Sequence, residues 1–246
     1  MSKFDLLDTT FIIPYYKDSK ERVENLNCII KFIWYNFDTN VIVLESGPIQ
    51  TMASHWSNKN HVYEFIKNDS GIFHRTRVIN EGIKKAKTPY VAIYDTDVVF
   101  EPENILSAVE LLRQGVTLSY PYDGRFIDVN RSYIEDGIII EKESFALGSV
   151  GGACFLNRED YWKCGLENEV YQSHCPDDVD RYHRVRTLGY RVERMVGKCY
   201  HISHPASANS GVNQFTMANN IEWNKVKAMG KEELESYIKT WEWAKR

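Results

Sequence analysis

Through the first half of this chain, apolar runs of strand length alternate with stretches of helical periodicity, and that alternation leaves few folds open. Strands that return to one sheet through crossover helices make a mostly parallel sheet flanked by helices, so the pattern predicts an α/β fold. Thr10 to Pro14 reads as a buried strand. It is followed by Val23, Leu26, Ile30, Ile33 and Phe37 at helical spacing, with Asp18 and Glu21 placed as an N-terminal capping pair. Val41 to Leu44 and Tyr63 to Ile66 read as further strands. Ile79, Gly82, Ile83 and Ala86 form a helical stripe before the apolar run Tyr90 to Tyr94. Pro102 then opens a helix that continues through Leu106, Val109 and Leu112 to Gly115.

The run from Tyr90 stops at two carboxylates one residue apart, Asp95 and Asp97. Side chains at i and i+2 lie on one side of an extended segment, so both can converge on a hard divalent cation, and such a cation is a common means of holding a diphosphate. An isolated Asp-x-Asp also makes an ordinary solvated turn, and the neighbouring strand ends decide between the two. In an open α/β sheet ligands bind outside the carboxyl ends of the strands, which here supply Pro14-Tyr15, Glu45-Ser46 and Asp95-Thr96-Asp97. Tyr15 is placed to stack on a base or sugar. Glu45 is placed to accept hydrogen bonds from a uracil N–H or a ribose hydroxyl, because a carboxylate is an acceptor only.

The second half is less regular. Residues 122–149 are turn-rich and read as the kind of long loop that forms a binding surface. Asp177 and Asp178 begin a helical pattern through Val179, Tyr182, Val185 and Leu188 that ends at Gly189. Carboxylates there offset the positive end of the helix dipole; alternatively one is a general base opposite the metal. His201 and His204 close a short apolar segment, and imidazole suits manganese and similar ions. Three apart on an extended segment they face opposite sides, so the spacing predicts that one reaches the ion and the other is structural.

The absence of a Pro/Gly/Ser-rich break in 246 residues argues for a single domain. A net charge of -4 gives no electrostatic reason to bind nucleic acid. Five cysteines without a CxxC pair read as reduced thiols in a cytoplasm, and no apolar run approaches the roughly 20 residues of a membrane span. Leu234, Tyr237, Ile238 and Trp241 form a stripe that predicts a terminal helix docked on the body. The basic, aromatic ending Trp241 to Arg246 keeps peripheral membrane association as the competing reading.

Together these residues resemble a GT-A nucleotide-sugar glycosyltransferase of the family-2-like group that shades into the β-1,4-galactosyltransferases and chondroitin-polymerase-type domains. Phe11 to Tyr15 is similar to the family's opening strand, and Phe73 to Gly82 to its Phe-x-Arg…Asn-x-Gly segment. Asp95-Thr96-Asp97 matches the DxD motif, and Gly151-Gly152-Ala153 with Glu159, Tyr161 and Gly165 matches the Gly-Gly loop and the helix after it. His201 to Pro205 resembles a His-x-x-His-Pro segment.

The resemblance implies a GT-A, Rossmann-like fold with a nucleotide half at about residues 8–115, an acceptor half at about 116–210 and a helical tail at about 211–246. It implies a UDP-sugar site formed by Pro14, Tyr15, Glu45, Arg75, Asn80, Asp95, Gly151 and Gly152. Mn²⁺ or Mg²⁺ would be held by Asp97 with His201 or His204. Asp178 would be the base of an inverting transfer of a hexose or N-acetylhexosamine to a glycan or lipid-linked glycan, with Asp177 orienting the acceptor. Asp177 stands where the family has Glu, and His174-Cys175-Pro176 replaces the familiar Trp-Gly, which puts acceptor preference in question. A nucleotide-sugar-binding protein without turnover and a retaining transferase are the competing readings. A nucleotidyl transferase is disfavoured because there is no Gly-rich phosphate loop carrying a Lys.

Overall fold

A computed structural model of the chain describes residues 3–52, 59–130, 144–206 and 209–246. The first strand, β1 (Phe4–Tyr15), lies at the centre of the main sheet, since its residues from Thr9 onward are all buried. α1 (Lys20–Asn36) follows and buries Leu26, Ile29, Ile30 and Ile33 along one face. Its cap is Ser19, whose hydroxyl accepts from the Arg22 amide at 3.1 Å; the expected pair of Asp18 and Glu21 does not cap it. Asp18 instead meets the Arg22 side chain at 3.4 Å.

β2 (Phe37–Gly47) and β3 (His61–Lys67) add in parallel on one side of β1. α2 (Arg75–Lys85) crosses back over the sheet to β4 (Tyr90–Tyr94), which pairs in parallel with the other side of β1. The crossover needs Gly82, because a Cβ there would stand 2.4 Å from the Ile12 side chain. After β5 (Val98–Val99), α3 (Pro102–Arg113) starts with proline in its first turn, where the missing N–H costs nothing. It leads to β6 (Leu118–Tyr120).

The second half departs from the simple alternation. β7 (Arg125–Val129) and β8 (Ser144–Ala146) occupy part of the span expected to be loop, while residues 131–143 of that span lie outside the described residues. β9 (Ala153–Asn157) inserts antiparallel between β4 and β6. After α4 (Arg158–Lys163) and α5 (Asp177–Thr187) come β10 (Val192–Arg194) and β11 (Lys198–Ile202). The main sheet has the order β10-β6-β9-β4-β1-β2-β3. A second sheet has the order β5-β11-β7-β8, and its first strand follows directly from the carboxyl end of β4.

Two helices close the chain, α6 (Thr216–Ala228) and α7 (Lys231–Ile238). Leu234, Ile238 and Trp241 are buried, so the terminal stripe docks on the body as the periodicity predicts. Gly165 lies under Ile238 and Trp241, where a Cβ would come within 2.8 Å of both side chains. One hydrophobic cluster runs from Leu6 to Trp241.

Candidate active site

Asp95 and Asp97 leave the carboxyl end of β4, and the chain runs directly into β5. β5 pairs antiparallel with β11 in a register that sets Val98 against His201, and the Ile202 amide donates to the Asp97 carbonyl at 2.7 Å. Two segments a hundred residues apart are thereby locked side by side. Asp97 Oδ2 lies 3.1 Å from His204 Nε2 and 4.0 Å from His201 Nε2, and one ligand atom from each of the three residues lies within 4.8 Å of the others.

On an extended segment only one of His201 and His204 would reach this point; both do. β11 ends at Ile202, so His204 stands in irregular chain beyond the strand, free of its alternation. The ring nitrogens facing away are each engaged. His201 Nδ1 donates to Asp128 Oδ1 at 2.6 Å, and His204 Nδ1 donates to the Pro205 carbonyl at 2.8 Å. These partners direct both Nε2 lone pairs towards Asp97, the arrangement in which an outer carboxylate or carbonyl fixes a metal-binding tautomer.

One carboxylate oxygen and two imidazole nitrogens suit Mn²⁺ or a similar ion. A proton otherwise has to lie between His204 Nε2 and Asp97 Oδ2, and the Asp97 hydrogen bond accordingly raises the His204 pKa. Burial works against the Asp97 charge, but His204, His201 and Arg22 outweigh it and hold the carboxyl below the usual range.

Beside this cluster is a cleft of about 190 Å³ whose lining includes Pro14, Tyr16, Arg22, Phe73, Arg75 and Asp95. Tyr16 and Phe73 stack with centroids 5.6 Å apart. The Phe73 amide is tied to Asn209 Oδ1 at 2.9 Å. Arg75, at the start of α2, donates to Asp95 at 2.7 Å and to Asp177, and lies 3.6 Å from Asp178. It joins the strand-end acids to the acids that open α5. Burial pushes Asp177 up to about 6 even against Arg75. Asp178 is pulled below the usual range because Arg75 and Arg181 outweigh its own burial.

Asp178 Oδ1 accepts from Arg181 Nη1 at 2.8 Å, and Arg181 is itself enclosed and paired with Glu167 at 2.7 Å. Asp178 Oδ2 has no hydrogen bond among the described residues and faces Gly151, where a Cβ would stand 2.9 Å from it. The next residue, Gly152, has φ +79° and its carbonyl accepts from the Asp95 amide at 2.8 Å. This Gly-Gly turn therefore lies against both acidic segments.

Three expected nucleotide contacts belong to the scaffold instead. Tyr15 is fully enclosed and presents no ring face to the cleft, while Tyr16 lines it. Glu45 is buried; its carboxylate accepts from the amides of Thr51 at 3.0 Å and Met52 at 3.2 Å and from the hydroxyls of Thr51 and Tyr63, which ties down the turn after β2. Asn80 is buried in α2, donating to the Glu167 carbonyl at 3.0 Å and accepting from the Glu167 amide at 2.8 Å. Tyr161 is likewise enclosed, with its hydroxyl on Glu167. Conversely Arg22, Asp128 and Arg181 carry no motif. Their roles come from long-range contacts that periodicity does not display.

Solved structures with this architecture include the catalytic domain of Drosophila β1,4-galactosyltransferase 7 in complex with xylobiose. It is 15% identical with a TM-score of 0.57, over 93% of this chain and 83% of that one. A mutant of the Drosophila enzyme in complex with manganese, UDP-Gal and xylobiose is also similar, at 15% identity and a TM-score of 0.52, over 90% of this chain and 80% of that one. At that identity the likeness establishes the fold, which is GT-A. No curated protein matches the sequence. Residues 10–158 match the family model of glycosyl transferase family 2, more than half of the chain. The chain belongs to that family and is a glycosyltransferase.

Proposed function

We propose that this glycosyltransferase moves a hexose or N-acetylhexosamine from a UDP-sugar to a hydroxyl of a glycan or lipid-linked glycan, inverting the anomeric carbon. One observation carries the reading. A metal-ligating trio and an ionised carboxylate with one unengaged oxygen are joined, through Asp95, Arg75 and the Gly-Gly turn, around a single cleft. Mn²⁺ or Mg²⁺ held by Asp97, His201 and His204 would supply positive charge to the departing diphosphate. The Tyr16–Phe73 pair supplies an aromatic surface for the nucleoside.

Asp178 Oδ2 takes the proton of the acceptor hydroxyl as its oxygen attacks the anomeric carbon from the face opposite the diphosphate. Arg181 holds the other carboxylate oxygen, so the base keeps one position. Arg75 keeps Asp95 and Asp177 together, and Asp177 orients the acceptor. Support also comes from the similar Drosophila enzyme, whose mutant was solved with manganese, UDP-Gal and xylobiose. The reading fits a cytoplasmic enzyme of polysaccharide assembly. No helix of the described residues is long and apolar enough to cross a membrane.

An Asp178→Asn variant is expected to keep UDP affinity and lose transfer, read as UDP release across a panel of UDP-sugars and acceptors. Full transfer by that variant would remove Asp178 as the base. The anomeric configuration of the product, read by NMR, distinguishes inversion from retention.

A further inference from the structure

Arg22 occupies the oxygen that a cation needs. From the first turn of α1 its Nη1 donates to Asp97 Oδ2 at 2.6 Å, and this is the same oxygen that faces His204 Nε2 and His201 Nε2. The remaining anchors are weaker: Nε stands 3.4 Å from Asp18, and Nη1 3.5 Å from the Thr96 hydroxyl. Nη2 lies 3.4 Å from His204 Nδ1, but that nitrogen already gives its proton to the Pro205 carbonyl at 2.8 Å, so two donors meet there. The guanidinium is therefore fixed chiefly by Asp97. Its side chain is 19% exposed and borders the cleft together with Tyr16, Arg75 and Asp95.

A divalent ion on Asp97 Oδ2 and a guanidinium on the same oxygen repel each other at contact distance. We propose that Arg22 is an exchangeable latch: it holds Asp97 while the cation is absent, is displaced when the cation enters, and then pairs with the diphosphate of the nucleotide in the adjoining cleft. Arg22 thus makes the ion alone bind poorly and the ion with nucleotide bind well, because only the second arrangement gives the displaced guanidinium a new anion. A planar guanidinium suits both partners, since carboxylate and phosphate each accept two parallel N–H groups. The inference rests on the proposed metal site, and the experiment is arranged so that the two fail differently.

The test measures Mn²⁺ binding by EPR, with and without UDP, for the wild type, Arg22→Gln and Arg22→Lys, together with UDP binding at saturating Mn²⁺. The wild type is expected to bind Mn²⁺ weakly alone and at least about tenfold more tightly with UDP. Arg22→Gln is expected to bind Mn²⁺ alone about tenfold more tightly than the wild type and UDP about tenfold more weakly. Arg22→Lys keeps the charge without the fork and is expected to fall between the two. If the wild type binds Mn²⁺ with UDP but both variants match it, the latch is wrong and the metal site stands. If the wild type binds no Mn²⁺ even with UDP, the metal site is wrong and the latch falls with it. Two folded variants with unchanged melting curves make a general loss of structure a separate, visible result.

Discussion

Replacing Gly151 by Ala tests how tightly the base is positioned. The new methyl would stand 2.9 Å from Asp178 Oδ2, about 0.5 Å inside the 3.4 Å at which ordinary contact begins. A carboxylate at the end of a free side chain would turn away at little cost. Asp178 does not have that freedom, because Oδ1 is held by Arg181 at 2.8 Å and Arg181 is enclosed against Glu167 at 2.7 Å and 3.0 Å. Gly151 has no positive φ, so alanine strains no backbone and the effect reports on the contact alone. Misplacement of a reacting group by 1 Å costs roughly 10²-fold in rate, so half of that corresponds to a fall in kcat of about tenfold. KM for the donor should stay within about twofold, since the atoms the methyl meets belong to Asp178 and Ser149. Steady-state UDP release at saturating acceptor gives both constants. In an Asp178→Asn background the same alanine should add almost nothing, because the group it displaces no longer takes a proton. Wild-type kcat for Gly151→Ala in a folded protein, or an equal loss in both backgrounds, would show that Gly151 does not keep Asp178 in place.

Other parts of the site give separate tests. Asp128→Ala removes the acceptor that fixes the His201 tautomer, so Mn²⁺ affinity in the presence of UDP should fall about 10–100-fold, measured by EPR titration. Glu45→Gln should lower the melting temperature, because Thr51, Met52 and Tyr63 lose an ionised acceptor, yet leave the UDP Kd within about twofold; a large loss of UDP affinity would restore Glu45 to the nucleotide site. Glu167→Gln breaks a buried ion pair and should cost about 3–5 kcal/mol in urea unfolding. The same residue sets part of the acid stability. Burial raises its pKa, but Arg181 and the Tyr161 hydroxyl outweigh that and hold it below the ordinary value of 4.5. The stabilisation is therefore complete above the unfolded pKa and is lost as pH falls through the depressed folded one. A wild-type acid transition that Glu167→Gln leaves unchanged would rule this out.

What the sequence disclosed and what it concealed follow from the range of the interactions involved. Helices and parallel strands of the first half are written in local periodicity, and Ile79, Ile83, Val91 and Ile93 are buried where the pattern puts them. Asp95 and Asp97 were legible because a strand end announces itself within a few residues. Tyr15, Glu45 and Asn80 lie in the core for a related reason: strand ends and helix starts supply the core as well as the cleft, and the side on which a given residue falls is decided by neighbours far off in the chain. Glu45 faces a turn six residues ahead, and Tyr16 takes the place expected of Tyr15. The pairing of Asp128 with His201 is a register match between β7 and β11, strands separated by some seventy residues. Nothing in the local pattern around Asp128 marks it.

The second sheet explains why the trio proposed to hold the metal forms at all from residues so far apart. Asp97 sits between β4, which belongs to the main sheet, and β5, which belongs to the smaller one. Pairing of β5 with β11 brings His201 to the carboxylate, pairing of β11 with β7 brings Asp128 behind His201, and the end of β11 at Ile202 lets the chain turn so that His204 returns to the same oxygen. The placements of His201 and Asp128 rest on backbone pairing within the sheet, and Asp128 and the Pro205 carbonyl hold the two imidazole rings, so little side-chain entropy would be lost on binding an ion. The acids of α5 reach the cleft by a different route, through Arg75 and the Gly151-Gly152 turn that leads into β9. The metal side and the base side of the site thus rest on separate strand pairings. Among the described residues the direct side-chain link between them is the Arg75 guanidinium between Asp95 and Asp177, so loss of Arg75 would uncouple the two halves and leave both carboxylates without their cation.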